Sequence, residues 1–151
     1  MLIVNKPRDM KAHVGEDLGT SDWVLVDQAT IDKFADATGD HQWIHVDVER
    51  AKREMPGGKT IAHGFLTLSL VAGLGHQTHD IEGRSRGINY GSDKVRFTSP
   101  VQVGSRVRLH QKLLKVEDID GGVRMTFESK MEIEGQSRPA LVAETIALAY
   151  E

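Results

Sequence analysis

The segment Ile61-Ala62-His63-Gly64-Phe65-Leu66-Thr67-Leu68-Ser69-Leu70-Val71-Ala72-Gly73-Leu74-Gly75-His76-Gln77 contains no Asp, Glu, Lys or Arg. Its apolar residues Phe65, Leu66, Leu68, Leu70, Val71, Ala72 and Leu74 fall on every side of a helix. A helix that is apolar all round is buried, in a core or in a bilayer. A bilayer span needs roughly 18–20 apolar residues in succession. Here His63, Gly64, Thr67, Ser69, Gly73, Gly75 and His76 break the run well short of that. Residues 61–77 are therefore expected to form a helix enclosed by the rest of the chain.

The enclosing elements follow in sequence. Val123, Met125, Phe127, Met131 and Ile133 alternate with Arg124, Thr126, Glu128, Glu132 and Glu134, and Val107 and Leu109 alternate with Arg106, Arg108 and His110. This period of two is that of half-buried strands. Asp120-Gly121-Gly122 and Glu134-Gly135-Gln136 read as the turns between them. Residues 141–150 place Val142, Ile146, Leu148 and Tyr150 on one face and Ala143, Thr145, Ala147 and Ala149 on the other, which predicts a central strand covered on both sides. A fourth strand is expected over residues 87–98.

Upstream of residue 80 the signals are mainly helical. Trp23-Val24-Leu25-Val26 predicts a short strand, and Asp27 to Thr30 can cap a helix carrying Ile31, Phe34, Ala35 and Thr38, stopped at Gly39. Residues 46–53 read as a second short helix, ended by Met55-Pro56-Gly57-Gly58. One buried helix with a meander of long antiparallel strands makes an α+β domain, the sheet wrapped on the helix.

Composition excludes several classes of function. A chain of 151 residues, 39% hydrophobic and 27% charged, fits one folded domain, and no repeat or low-complexity run divides it. Nineteen Lys and Arg against 22 Asp and Glu give a net charge of −3, which argues against a nucleic-acid partner. The absence of cysteine excludes disulfides, a thiolate nucleophile, iron–sulfur clusters and Cys-type zinc sites. Met1-Leu2-Ile3-Val4-Asn5-Lys6-Pro7 is too briefly apolar for a signal peptide, so a cytoplasmic location is expected.

Chemistry concentrates in Thr38-Gly39-Asp40-His41-Gln42-Trp43-Ile44-His45-Val46-Asp47. Asp40 and His45, just after a helix-ending glycine, can turn inward from one loop as a general acid–base pair. The plainer reading is that Asp40 caps the next turn and His45 is a satisfied, partly buried histidine. His41 and His45 could also ligate a metal from one helix face, but Gln42 stands where the metalloprotease pattern requires Glu. Asp36, Asp40 and Asp47 lack the spacing of a calcium loop, and no G-x-S-x-G marks a serine nucleophile. Ser69 is expected to bond to its own helix backbone. Gly64, at the start of the buried helix, can present its N–H to a developing oxyanion or can simply permit close packing. Arg84, Arg86, Lys94 and Arg96 form a basic patch that could receive phosphates or could be the wet face of a strand.

Phe34-Ala35-x-x-Thr38-Gly39-Asp40-x-x-x-Ile44-His45-x-Asp47, followed by Ile61-Ala62-His63-Gly64-Phe65-Leu66, resembles the MaoC-like dehydratase family of (R)-specific enoyl-CoA hydratases, and within it the nodulation protein N-like branch. The likeness extends through Lys94-Val95-Arg96-Phe97 to Pro100-Val101-x-Val103-Gly104. It implies a single hotdog domain over residues 1–151, a long helix wrapped by an antiparallel sheet and paired as a homodimer. It also implies hydration of a trans-2-enoyl-CoA, or the reverse dehydration, without a cofactor or metal. Asp40 and His45 would activate one water, and the Gly64 N–H would hold the thioester enolate. His63, Trp43, Phe65, Ser69 and Arg96 would contact the substrate, an acyl-CoA or acyl-carrier-protein thioester. The family's Asn-Pro is Gln42-Trp43 here, where Trp43 could narrow the acyl tunnel, and its usual helix serine is Ala72, leaving Ser69 one turn earlier. A hotdog thioesterase and a non-catalytic acyl-thioester binding module are the alternatives.

Overall fold

The computed structural model describes residues 1–151. Strand β1 (Leu2–Val4) is followed by a 3-10 turn (Pro7–His13), β2 (Asp17–Thr20), β3 (Val24–Val26) and helices α1 (Gln28–Thr38), α2 (Trp43–Val46) and α3 (Val48–Glu54). Helix α4 (Gly64–Gly75) comes next, then β4 (His79–Ile81), β5 (Arg86–Phe97), β6 (Ser105–Ile119), β7 (Gly122–Ile133) and β8 (Leu141–Tyr150). Sheet order is β2-β6-β7-β8-β5, with β3 also on β6 and every neighbour antiparallel. Strands β6, β7 and β8 are the expected meander, and the fourth candidate strand lies beside β8 as the sheet edge. No helix is long and apolar enough to cross a membrane.

Helix α4 lies on the sheet because its chain has no polar face to turn outward. Leu66, Val71 and Leu74 share a core with Val107 and Leu109 of β6, Met131 and Ile133 of β7, and Leu141 and Ala143 of β8. The helix is shorter than the expected 61–77. Ile61 is bridged to Gln102 and the Ala62 N–H donates to the Val101 carbonyl at 2.8 Å, so these residues are held extended by a distant part of the chain. The helix expected over 46–53 divides in two because the Asp47 carboxylate accepts the Arg50 N–H at 3.0 Å and starts a new helix. The first twenty residues, to which no element was assigned from sequence, hold β1, the 3-10 turn and β2. Strand β1 pairs in parallel with β4, and three residues are too few to display a period. Strand β8 is central, but only Leu141, Ala143 and Ala149 are buried; Val142, Ile146, Leu148 and Tyr150 are half-buried rather than covered.

A second core lies at the other end of the sheet. Val4 and Met10 of the N-terminal strap pack with Ile81, Leu113, Val123, Met125 and Phe127. Between the two cores runs a polar belt. Thr78 Oγ1 lies 2.7 Å from Gln111 Oε1, Gln111 Nε2 donates to Ser129 Oγ at 3.2 Å, and Ser129 and Thr145 share a hydroxyl bond of 2.8 Å. These groups are stable under the helix because they satisfy one another.

Candidate active site

Helix α1 delivers Asp40. Its N-cap Asp27 accepts from the Thr30 N–H at 2.9 Å and from the Thr30 hydroxyl at 2.7 Å. At the other end Gly39 takes φ 80°, which an L side chain resists, and returns its N–H to the Ala35 carbonyl at 2.8 Å. The chain then turns sharply and Asp40 stands exposed, its carboxylate accepting the Gln42 N–H at 3.3 Å. The capping role read from sequence is thus present, and it leaves the second carboxylate oxygen free for other work.

Helix α2 carries His45, 6% exposed. The ring is fixed from both sides of its backbone and from its own Nδ1. Gln28 Nε2 donates to the His45 carbonyl at 2.8 Å, the Ile61 N–H donates to the Ile44 carbonyl at 3.1 Å, and His45 Nδ1 lies 2.7 Å from the Ile61 carbonyl oxygen. A carbonyl oxygen only accepts, so Nδ1 carries the hydrogen and Nε2 of the neutral ring holds a lone pair. Burial lowers the imidazole pKa below its ordinary value, opposed by the Ile61 bond and, more weakly, the Asp40 charge, with His63 adding to the lowering. A neutral imidazole with an open Nε2 is the form a general base requires.

His63, the residue before α4, is 3% exposed and binds the Asp40 loop to this helix. Its Nε2 donates to the Asp40 carbonyl oxygen at 2.9 Å, and its ring stacks on His45 with centroids 3.8 Å apart and 24° between planes. Phe34 lies on its other side at 4.9 Å. His63 Nδ1 is buried without a partner. Asp40, His45 and His63 each bring one potential ligand atom within 4.8 Å of the others, so this trio is where an ion could be held. Stacked rings, however, direct their in-plane lone pairs side by side rather than at one point, a poor fit to a tetrahedral ion.

Gly64 opens α4. Neither its N–H nor that of Phe65 has an acceptor in the protein, as expected for the first helical turn. A Cβ at Gly64 would lie 2.9 Å from the Phe97 ring, so glycine is required for Phe97 to sit over the helix start. Phe65, 67% exposed, meets Phe97 edge-on at 5.7 Å, and the two form an apolar lip beside the free N–H groups. Both N–H groups lie at the positive end of the α4 dipole.

The other predicted residues are more dispersed. Trp43 lies at the start of α2 under the Arg50 guanidinium, 4.0 Å from its ring centre. Ser69 donates to the Phe65 carbonyl at 2.7 Å, as expected for a helix serine, and borders a cavity beside α4. Arg96 is exposed on β5 and donates to the Val95 carbonyl at 2.7 Å. Its companions in the basic patch are engaged within the chain: Arg84 with Asp80 at 3.3 Å, Lys94 with Glu144 at 3.0 Å, and Arg86 over Tyr150 at 4.2 Å. His41 pairs with Asp36 at 2.9 Å and does not share a helix face with His45. Phe97, which completes the helix-start lip, was absent from the sequence-level site candidates, although it lies in the Lys94-Val95-Arg96-Phe97 stretch that carries the family resemblance.

Comparison with known proteins identifies the family. Residues 9–134 match the MaoC-like domain family. The 3-hydroxyacyl-thioester dehydratase Z of Mycobacterium tuberculosis is 53% identical over 139 residues, covering 91% of each chain. Nodulation protein N of Rhizobium leguminosarum bv. viciae is 49% identical over 142 residues, covering 93% of this chain and 88% of that one. Among solved structures, the monoamine oxidase regulatory protein of Archaeoglobus superposes with a TM-score of 0.79 at 24% identity, over 100% of this chain and 99% of that one. The (R)-hydratase of A. caviae superposes with a TM-score of 0.72 at 23% identity, over 89% and 94%. An Asp/His pair delivered to the start of a helix that an antiparallel sheet encloses, on a chain this close to a named dehydratase, makes this protein a hotdog-fold enzyme of the MaoC-like dehydratase family.

Proposed function

We propose that the enzyme hydrates trans-2-enoyl-CoA to (R)-3-hydroxyacyl-CoA and catalyses the reverse dehydration. The observation that carries this reading is the fixed tautomer of His45, which leaves Nε2 open in a residue whose ligand atom lies within 4.8 Å of one from Asp40. Asp40 and His45 hold one water. His45 Nε2 takes a proton from it as the oxygen bonds to C3, and the double-bond electrons move to C2 and the thioester oxygen. The Gly64 N–H receives that enolate oxygen; one such donor is typically worth on the order of 10²–10³ in rate. The proton on His45 is then returned to C2, while the Asp40 charge steadies the imidazolium. Water, thioester and these groups account for every atom, so no cofactor is called for. The relative named as a 3-hydroxyacyl-thioester dehydratase and the fold neighbour named as an (R)-hydratase support the reaction and its hand.

The test is loss of the conjugated enoyl-thioester absorbance of crotonyl-CoA. Asp40→Asn and His45→Gln are each expected to lower turnover by at least ~10²-fold, with little change in stability. Near-normal hydration by either variant, still folded by circular dichroism, would refute the assignment. Release of free CoA instead would point to a thioesterase, and binding without either product to an acyl-thioester binding module.

A further inference from the structure

Helix α4 packs on β6, β7 and β8; the edge strand β5 meets its start through Phe97, and beyond that contact lies a groove of about 460 Å³. Leu68 and Ser69 line its near end, one turn along α4 from Gly64, and His76 lies at its far end. Strand β5 runs the same course, from Phe97 against Gly64 back to Gly87. At about 1.5 Å per residue, the distance from Gly64 to His76 is roughly 18 Å. An acyl chain whose thioester sits at the Gly64 N–H would follow this groove.

The groove is not lined by hydrocarbon alone. The His79 ring stacks on Phe127 at 4.9 Å and 25° and forms the floor with it. His79 Nδ1 is 3.2 Å from the Thr78 hydroxyl, and its Nε2 has no partner in the protein. Burial, with Arg84 and His76 contributing, lowers the His79 pKa to about 4, so the ring offers one N–H and one lone pair at neutral pH. Gln111 and Thr145, the groove side of the polar belt and bonded within it, also line the groove, as does Arg84, which pairs with Asp80. A methyl end lodged against His79 would strip its open Nε2 of water and return no hydrogen bond.

We infer that the acyl chain taken by this enzyme carries an oxygen function, hydroxyl or carboxyl, at the end remote from the thioester, bound by His79, Gln111 and Thr145, with Arg84 also lining the groove. This rests on the enoyl-thioester reading and names the substrate class for it.

The experiment compares kcat/KM for trans-2-enoyl-CoAs of matched medium length that end in methyl, hydroxymethyl or carboxyl. The protein is expected to favour an oxygenated end by at least ~10-fold over methyl, because a site built to hydrogen-bond a substrate group discriminates against its absence. The hydroxyl and carboxyl arms show whether the neutral donors or Arg84 dominate. His79→Leu, and Thr145→Val as a shape-conserving second variant, are expected to remove the preference and improve use of the methyl-ended chain. Equal or better use of the methyl-ended chain by the unaltered protein overturns the inference, as does a preference that survives both substitutions in folded variants. Failure to hydrate even crotonyl-CoA overturns the reaction and the inference with it, and is distinct from hydration without preference.

Discussion

His45 is ready to act because one of its two nitrogens is already committed. The Nδ1 bond to Ile61 selects the tautomer, and burial favours the neutral ring, so the chain itself chooses which nitrogen keeps its lone pair. His79 shows the same physics without the catalytic neighbours. Its folded pKa of about 4 lies below the ordinary imidazole value of 6.5. As pH falls through 6.5 the unfolded chain takes up a proton that the folded chain refuses, so this stability is present above 6.5 and is lost on the way down to about 4. The difference is on the order of 2–3 kcal/mol. Urea unfolding at pH 7 and pH 4.5 is expected to show a smaller loss for His79→Leu than for the unaltered protein. An equal loss in both would show that His79 contributes nothing to the acid limb.

Among the elements, the end of α1 controls the site most directly. Gly39 sits in the left-handed region and Asp40 follows it, so the cap and the carboxylate share one turn. Gly39→Ala is expected to destabilise by ~1–2 kcal/mol and to reduce turnover more than substrate affinity, because it tilts Asp40 without touching the groove; chemical denaturation and steady-state kinetics read the two effects. This turn was legible in the sequence as Thr38-Gly39-Asp40, since a stop glycine and the polar residue after it are local signals. Helix α4 was legible from composition alone. Its true start was not, because Ile61 and Ala62 are drawn out of the helix by Val101 and Gln102, some forty positions away. His63 was visible as part of His-Gly, but its stack on His45 depends on how α2 meets α4. The groove floor was illegible for a related reason: His79, Gln111 and Thr145 come from three strands and meet only once the register is set.

At the scale of the whole molecule the unresolved demand is the open edge. Every residue of β5 except Val95 is exposed, and Ile88, Tyr90 and Phe97 show 44%, 56% and 45% of their surface. A long exposed edge carrying these apolar side chains invites another strand. Register shifts after Asn89 and Asp93, with Lys94 at φ 53°, bend the strand and restrict what can pair with it. We propose that a second copy covers this edge, giving a homodimer. Sedimentation at micromolar concentration is expected to give twice the chain mass, and a monomer there would count against it.

The polar belt across the sheet also divides labour. Asp40, His45 and Gly64 are supported by the core around α4, whereas the groove floor at Phe127 belongs to the core held shut by Met10 and Val4 of the N-terminal strap. The proposed reacting centre and the proposed gauge of its substrate therefore have separate foundations. On the proposed reaction, descendants of this chain can revise the strap and the floor, and so change diet, while inheriting the Asp40–His45 pair intact.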